Sequence, residues 1–297
     1  MDADRGTEPY TLLLCPGCGS GRIEVFPSAA VLSAHYDRSY YGGGESKFAA
    51  PLQALVNLSV RRRARSIRRY LPGPGPLAVL DIGCGRGDLL LELGRTGVTG
   101  TGLERALLDS RFESPAIEYR TGELGEQRFA PHSFDAVVIW HVLEHLPDPQ
   151  ATLEAVGEIL KPGGVLVIAV PNNSSWQAGF FRNAWFHIDA PRHLHFFGHQ
   201  GMERLLQRQG YTTLASTTSD GAQNIFGFMQ SALNRMAPRR ANRLYQLMRS
   251  AQSVPRLIEL GLWLLPAAML LPIALLENAV SIARRRGACS TVFARKT

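Results

Sequence analysis

A glycine-rich loop with a carboxylate directly before it is the clearest chemical signal in the sequence. Asp81 closes an apolar run, and Gly83, Gly85 and Gly87 follow it. Glycines let the backbone approach a ligand closely and adopt conformations that a side chain forbids. A carboxylate at this place stabilises a ligand that carries a positive charge. The loop therefore predicts a site for a nucleoside-type ligand with a cationic group.

Two further carboxylates extend the pattern. Glu104 ends the next apolar run, where a carboxylate can accept hydrogen bonds from both hydroxyls of a ribose. Glu123 and Leu124 follow the third run and are predicted to lie beside the base of the nucleoside. The alternative, that Glu123 is only a solvated acid in a loop, stays open. Asp88 stands where a dinucleotide-binding loop requires a third glycine or alanine, which counts against NAD.

Histidines near the predicted strand ends are candidates for a general base, because imidazole titrates near neutral pH. These histidines are His141, His145, His187, His193 and His195. Asp189 is predicted to orient a histidine and Arg192 to hold an anionic substrate group, and a turn held together by its own polar side chains is the alternative. His193 is favoured slightly over His145 as the base.

A metal site is a less favoured use of the same region. His141, Glu144 and His145 lie at helical spacing, so one helix face could present three ligands. Structural zinc needs four ligands, and the Cys15-Pro-Gly-Cys18 pair supplies two. No metal is predicted, and Glu144 and His145 are expected instead to cap and order the start of a helix.

Short apolar runs that alternate with helical runs position these side chains. Strands are predicted at 77–82, 97–103, 117–120, 134–140, 164–170, 211–217 and 289–296, and helices at 51–70, from Asp88, at 150–160 and at 200–209. Such alternation indicates parallel strands covered by helices on both faces. The expected fold is α/β, with a doubly wound, mostly parallel, seven-stranded Rossmann-like sheet and a helical apolar insertion before the last strand. Ligands of such sheets bind at the carboxyl ends of the strands, where the candidate residues meet.

The motifs of this sheet resemble a known family. Residues 77–172 contain, in order, DIGCGRG, GLE, GEL, FDAVVIWHVLEHLPDP and LKPGGVLVIAVPN. Together these resemble the class I S-adenosylmethionine-dependent methyltransferases. The resemblance implies that S-adenosylmethionine binds over the glycine loop, with Asp81, Glu104 and Glu123 as polar contacts and Trp140 or His141 closing over it.

A narrower resemblance concerns the acceptor. The cysteine pair, the Asp189–His193 segment and the closing TVFARK segment resemble a bacterial branch that methylates sugars, lipids and other small metabolites. The ubiquinone-pathway O-methyltransferases carry a carboxylate where His141 stands, and this departure weakens the metal interpretation. The expected activity is methyl transfer to oxygen or nitrogen of a small-molecule, sugar or lipid-linked acceptor.

Length and composition set the organisation of the chain. It has 297 residues and a formal net charge of +7, which allows one enlarged domain. We predict an arm at 1–50, a methyltransferase domain at 51–220 and 287–297, and an apolar insertion at 221–286. The four cysteines are expected to be reduced and the protein cytoplasmic, since no secretory signal is evident.

The insertion predicts where the protein works. No residue between Glu259 and Glu277 is charged, which gives a helix of about 25 Å, marginal for a hydrocarbon core of ~30 Å. A single crossing is excluded if the last strand rejoins the sheet. Flanking arginines favour contact of 255–286 with an anionic membrane surface on the inner face, through a helical hairpin. A hydrophobic lid and a homodimer face stay open.

Two other functions are compatible with parts of the sequence. The basic charge is compatible with a nucleic-acid methyltransferase, but base-amine methylating enzymes usually carry an Asn/Asp-Pro-Pro-aromatic motif where Trp140-His-Val-Leu-Glu stands. No nucleic-acid partner is therefore expected. A non-catalytic module that binds S-adenosylmethionine is the second alternative, and the intact loop with Glu104 counts against it.

Overall fold

The computed structural model describes residues 10–34, 50–73, 76–106, 111–250 and 253–297. The strands are β1 Leu12–Leu14, β2 Gly21–Ile23, β3 Leu77–Ile82, β4 Val98–Glu104, β5 Ile117–Thr121, β6 Phe134–Trp140, β7 Leu160–Pro171, β8 His195–Phe196, β9 Tyr211–Thr217 and β10 Cys289–Lys296. The helices are α1 Ala29–Ala34, α2 Ala50–Arg68, α3 Asp88–Gly94, α4 Pro149–Ile159, α5 Trp176–Phe181, α6 His199–Arg208, α7 Gly221–Met236, α8 Arg243–Ser250 and α9 Val254–Ala283.

The main sheet confirms the predicted fold class. Seven strands lie in the order β5-β4-β3-β6-β7-β10-β9. β10 runs antiparallel to both β7 and β9, while the pairs formed by β3 to β7 are parallel. The carboxyl ends of β3, β4, β6 and β7 therefore share one edge of the sheet, which we call the carboxyl edge.

Helices cover both faces of this sheet with their apolar sides, as its continuous hydrophobic strands require. On one face, Leu153 of α4 and Leu206 of α6 are fully buried against the sheet. On the other face, Ile67 of α2 and Leu93 of α3 are equally buried. The glycine loop lies between β3 and α3, so its position is set by the packing of both elements.

A second, three-stranded sheet forms from β1, β2 and β8. The Cys15–Cys18 turn joins β1 to β2, and all four cysteines of the chain are free thiols. Ile23 of β2 packs with Ala190, Leu194 and Phe196, so this sheet supports the segment that carries His193. The parts of the predicted arm at 1–9 and 35–49 lie outside the described residues.

The insertion is a helical hairpin with α7 and α9 as its arms. Asn224 of α7 meets Asn278 of α9, and Leu233 packs with Ala267, so the arms run antiparallel. α9 is continuous, with Pro266 and Pro272 inside it. The hairpin leaves the sheet after β9 and returns at Cys289, which pairs with Pro171. Both of its roots therefore lie at the carboxyl edge.

α9 is largely uncovered. Its inner stripe, which includes Ala267 and Ala274, is buried, and its outer face exposes Ile258, Leu262, Leu265, Met269, Ile273 and Leu276. Among the described residues, α9 is the one helix that is both long enough and apolar enough to cross a membrane. Its contacts with α7 and α8 hold it along the side of the protein.

Candidate functional site

The glycine loop adopts the conformations that the sequence predicts. Gly83, Gly85 and Gly87 all have positive φ angles, of 74°, 56° and 82°. A side chain at Gly83 would meet Val142 at 2.2 Å, and one at Gly87 would meet the Tyr119 hydroxyl at 2.1 Å. No atom lies within 4 Å of the Cβ position at Gly85. The loop is thus packed on two sides and open at Gly85, where a ligand can approach the backbone.

Asp81 and Glu104 end neighbouring strands and flank this opening. Asp81 is buried, and burial raises its pKa to about 7, while Arg63 opposes that shift. Glu104 accepts hydrogen bonds from the backbone N–H groups of Gly85 and Arg105, each at 3.0 Å. Burial also raises the pKa of Glu104. A cationic ligand beside these carboxylates would stabilise their ionised forms.

Arg63 is a site residue that the sequence analysis missed, because it lies within a run of arginines on α2. Its guanidinium stacks 3.8 Å from the ring centroid of Trp140, and its Nε is buried without a hydrogen-bond partner. Burial lowers the pKa of Arg63, whereas Asp220 and Asp81 raise it. The only sequence signal for the burial of Arg63 is its position on the helix, because it lies four residues before Ile67 and therefore on the same apolar face.

Of the two residues predicted to lie beside the adenine, Glu123 is on the surface and Leu124 is partly buried against the core. Glu123 is exposed and forms an ion pair with Arg105 at 2.8 Å. It also takes part in a capping box with Glu126 at the short 3-10 turn that begins at Leu124. These contacts do not test whether Glu123 and Leu124 bind the adenine, and that role stays a prediction.

Three histidines gather around the buried carboxylate of Glu144. The Nδ1 atom of His141 lies 3.3 Å from Glu144 Oε1, and the Nε2 atom of His193 lies 3.9 Å from it. The rings of His145 and His193 are 4.6 Å apart. Burial alone would raise the pKa of Glu144, but the hydrogen bond of His141 and the nearby histidines lower it below its ordinary value. This cluster stands at the carboxyl edge, directly after Trp140.

The residue that caps the helix after β6 differs from the prediction. Residues Leu143–His145 form a 3-10 turn, and Asp148 caps α4 by accepting hydrogen bonds from the N–H groups of Gln150 and Ala151. Glu144 and His145 therefore do not cap this helix, because the turn after β6 aims them at the site. The ligand atoms of Glu144, His145 and His193 lie within 4.8 Å of one another, so His193 rather than His141 completes this group. The expectation of no bound metal stays a prediction.

The Asp189–His193 segment forms part of the same cluster. Asp189 binds Arg192 through two hydrogen bonds, one of 2.9 Å from Nε, and its Oδ2 lies 3.9 Å from His193 Nε2. His193 Nδ1 contacts the carbonyl of His187 at 2.9 Å. Burial and the neighbouring His145 hold the pKa of His193 well below its ordinary value. His193 is therefore neutral near pH 7, with its Nε2 lone pair toward the carboxylates.

The remaining two histidines lie apart from Glu144. His187 is buried against α7, where burial lowers its pKa to about 3. His195 lies on β8, with its Nε2 atom 3.2 Å from the carbonyl of Pro147. Neither position suits a base for a substrate at the carboxyl edge.

A doubly wound sheet with this loop and these strand-end carboxylates defines the class I methyltransferase fold. A family model described as the methyltransferase domain matches residues 57–216, more than half of the chain. The chain therefore belongs to the methyltransferase domain family, and S-adenosylmethionine is its cofactor. The family and cofactor predicted from the motifs are confirmed.

Individual relatives cover less of the chain. The ubiquinone biosynthesis O-methyltransferase of Xanthomonas campestris pv. campestris is 36% identical over 132 residues, which cover 42% of this chain and 53% of that protein. The protein of the same name from Salmonella arizonae is 36% identical over 109 residues, or 33% of this chain and 45% of that one. The chain thus spans about half the length of the curated relatives it matches. The crystal structure of the 4+2 cyclase SpnF has a TM-score of 0.50 at 16% identity, covers 80% of each chain and shares the fold.

The residues present fit S-adenosylmethionine. Its amino-acid head carries an ammonium and a carboxylate, and the site offers the buried carboxylate of Asp81 beside the unpartnered guanidinium nitrogen of Arg63. Trp140 Nε1 and His141 Nε2 are also buried without a hydrogen-bond partner. Buried polar atoms of this kind usually find partners in a ligand or in water.

Proposed function

We propose that the chain transfers the methyl group of S-adenosylmethionine to an oxygen or nitrogen atom of a small-molecule acceptor that is linked to a lipid. The observation that carries this proposal is the position of the Glu144 histidine cluster, which follows Trp140 at the same carboxyl edge as Asp81 and the open glycine loop. Cofactor residues and proton-accepting residues thus share one edge of the sheet. The names of the ubiquinone-pathway relatives support a small-molecule acceptor.

On the cofactor side, each residue has a distinct task. Asp81 would hold the ammonium group, Arg63 the carboxylate and Glu104 the ribose hydroxyls, while Trp140 and His141 would close over the site. When bound, S-adenosylmethionine supplies a methyl carbon that its sulfonium already activates. The protein contributes mainly by holding the acceptor atom close and aligned, which is worth several orders of magnitude in rate.

On the acceptor side, His193 is the proposed base. It is neutral near pH 7, and Glu144 and Asp189, each 3.9 Å from Nε2, would stabilise the imidazolium that forms when it takes a proton. Arg192 is already paired with Asp189, so its main task is to fix that carboxylate, and a further contact with an anionic acceptor group stays a prediction. His145, whose Nδ1 contacts the Arg192 carbonyl at 2.9 Å, is the second candidate.

The hairpin supports a location at the inner face of the membrane. α9 exposes a wide apolar face, with Met269 79% accessible. Arg256 precedes this face and Arg284, Arg285 and Arg286 follow it, a distribution that favours an in-plane helix on anionic lipids. Residues 51–220 and 287–297 then form the catalytic domain, 221–286 the membrane-facing insertion, and 1–50 an N-terminal arm. A homodimer through α9 is the competing use of this face.

The proposed activity is tested by the transfer of radiolabelled methyl groups from S-adenosylmethionine into membrane and soluble extracts. We expect label in the lipid-extractable fraction with the native chain and none with Asp81→Asn. Glu118→Gln, at an exposed acid on β5, is the matched control and should retain activity. Cofactor binding by calorimetry without transfer into either extract would favour the non-catalytic module, and absence of binding would overturn the proposal.

The base is tested by His193→Asn and His145→Asn. We expect His193→Asn to lower kcat by roughly 10²–10⁴-fold, the usual contribution of a general base, with cofactor affinity unchanged. His195→Asn, which lies outside the cluster, should retain nearly full activity. A larger loss with His145→Asn would transfer the role to His145, and loss of activity on adding EDTA would instead indicate metal-assisted chemistry.

A further inference from the structure

Two large aromatic side chains are exposed on the short helix α5. Trp176 is 42% and Phe180 65% accessible, whereas Gln177 and Phe181 on the same helix are buried. Trp176 and Phe180 are four residues apart and therefore lie on one side of the helix. Exposed aromatic side chains that adjoin one another commonly mark a surface that contacts apolar material.

Cationic side chains surround this pair. Arg286 donates a hydrogen bond from Nη1 to the carbonyl of Ser174 at 2.9 Å, and the guanidinium of Arg235 lies 5.7 Å from the ring centroid of Phe180. Trp176, Gly179, Phe180, Arg286 and Ser174 line an open groove of about 700 Å³, which we call the α5 groove. Arg235 does not line the groove but lies next to it, against Phe180. Among the described residues that line the groove there is no acid. Its chemistry therefore suits a surface that is apolar and negatively charged.

The α5 groove continues from the apolar helix of the hairpin. Gln177 donates from Nε2 to Glu277 Oε2 of α9 at 2.8 Å, and the N–H of Trp176 donates to the carbonyl of Arg286 at 3.1 Å. Arg286 follows the end of α9 by three residues. α5 and the carboxyl-terminal end of α9 are thus fastened to each other.

We infer that the α5 groove is a second membrane contact, which binds the head-group layer of an anionic lipid bilayer. Trp176 and Phe180 enter the interface, where aromatic side chains are enriched, and Arg286 and Arg235 bind lipid phosphates. The inference rests on the membrane association in the proposed function and adds a second contact to it. Because α5 follows β7, this second contact turns the carboxyl edge toward the bilayer, so a lipid-linked acceptor reaches the histidine cluster without leaving the membrane.

The test uses the full chain and vesicles of phosphatidylcholine, alone or in an equimolar mixture with phosphatidylglycerol. We expect flotation with the anionic vesicles, which Arg286→Gln weakens about five-fold and the Trp176→Ala, Phe180→Ala double variant more than about tenfold. Arg69→Gln, at an exposed arginine directly after α2, and the exposed pair Leu14→Ala, Val25→Ala are the matched controls and should float like the native chain. Lipids brominated in their upper acyl chains should quench Trp176 fluorescence, measured as the difference between the native chain and Trp176→Phe.

The outcomes separate the two levels of the proposal. One outcome is that the native chain floats while the α5 variants float equally well and Trp176→Phe leaves the quenching unchanged. In that case the α5 contact is wrong, and membrane association through the hairpin is retained. If the native chain does not float and elutes instead as a dimer that these variants dissociate, the groove is a self-association surface and the inference is overturned. Cofactor binding by calorimetry on the same samples shows independently whether the methyltransferase site is intact.

Discussion

At the scale of single residues, the roles proposed for Asp81 and Arg63 make cofactor binding depend on pH. Burial raises the pKa of Asp81 to about 7, and the Arg63 guanidinium opposes this shift. The carboxyl group is therefore half protonated near neutral pH. In the role proposed for Asp81, the ammonium group of the cofactor pairs with the ionised carboxylate, so we expect cofactor binding to be coupled to release of a proton.

The affinity for S-adenosylmethionine should consequently fall as the pH falls through 7. Between pH 8 and pH 6 we expect the Kd to rise up to about tenfold, because protonated Asp81 cannot pair with a cation. Calorimetry at the two pH values measures this change. Asp81→Asn should bind weakly at both, with a much smaller dependence on pH. A native Kd that is equal at pH 8 and pH 6 would contradict the role given to Asp81.

At the scale of elements, the hairpin is tied to the segment that carries the proposed base. The N–H of Phe186 donates to Ser231 Oγ of α7 at 2.8 Å, and His187 packs against Gly227. The His187 carbonyl in turn contacts His193 Nδ1. The position of His193 therefore depends on how closely α7 approaches the sheet.

Gly227→Ala tests this close approach. An added Cβ would lie 2.7 Å from His187 Nε2, so overpacking should outweigh the helix propensity of alanine and lower the free energy of unfolding by about 1–2 kcal/mol. Gly261→Ala on α9, where no atom lies within 4 Å, is the matched control and should be neutral or stabilising by up to ~1 kcal/mol. Urea unfolding measures both. Equal behaviour of the two variants would show that α7 does not press on His187.

At the scale of the whole molecule, buried acids and buried histidines affect stability in opposite directions. Asp81 has a pKa of about 7 in the folded chain against an ordinary 3.8, so the folded state binds its proton first and gains stability as the pH falls from 7. His187 has a pKa of about 3 against an ordinary 6.5, so the unfolded state binds that proton first and stability is lost below 6.5. His193 shifts in the same direction as His187.

Substitution of Asp81 or His187 should change how the free energy of unfolding depends on pH. On acidification from pH 7 to pH 5, Asp81→Asn should lose about 2 kcal/mol more unfolding free energy than the native chain. His187→Gln should lose about 2 kcal/mol less over the same range. Urea unfolding at both pH values measures the difference. Parallel pH dependence of all three proteins would contradict the assigned shifts.

The sequence by itself determined the sheet and the acids and glycine loop at its carboxyl edge. Strands β3 and β6 begin and end where the apolar runs predict, because strands buried on both faces need continuous apolar side chains. The edge strand β9 also has its predicted bounds, although most of its side chains are exposed or partly buried. Asp81 and Glu104 were found from sequence because a parallel sheet places every strand end at one edge, whatever the details of packing. The glycine loop was equally visible, since only glycine tolerates its positive φ angles.

The tertiary structure decided which side chains meet across elements. Arg63 is one of several arginines on α2, and only the packing of that helix on the sheet turns it toward Trp140. His193 joins Glu144 because the chain after α5 folds back under α7, a contact between residues far apart in sequence that no local pattern encodes. The same holds for α5 and Arg286, which form one groove only because β7 and β10 are neighbours. Local periodicity reports burial along one element, whereas a site built from several elements depends on how their faces pack together.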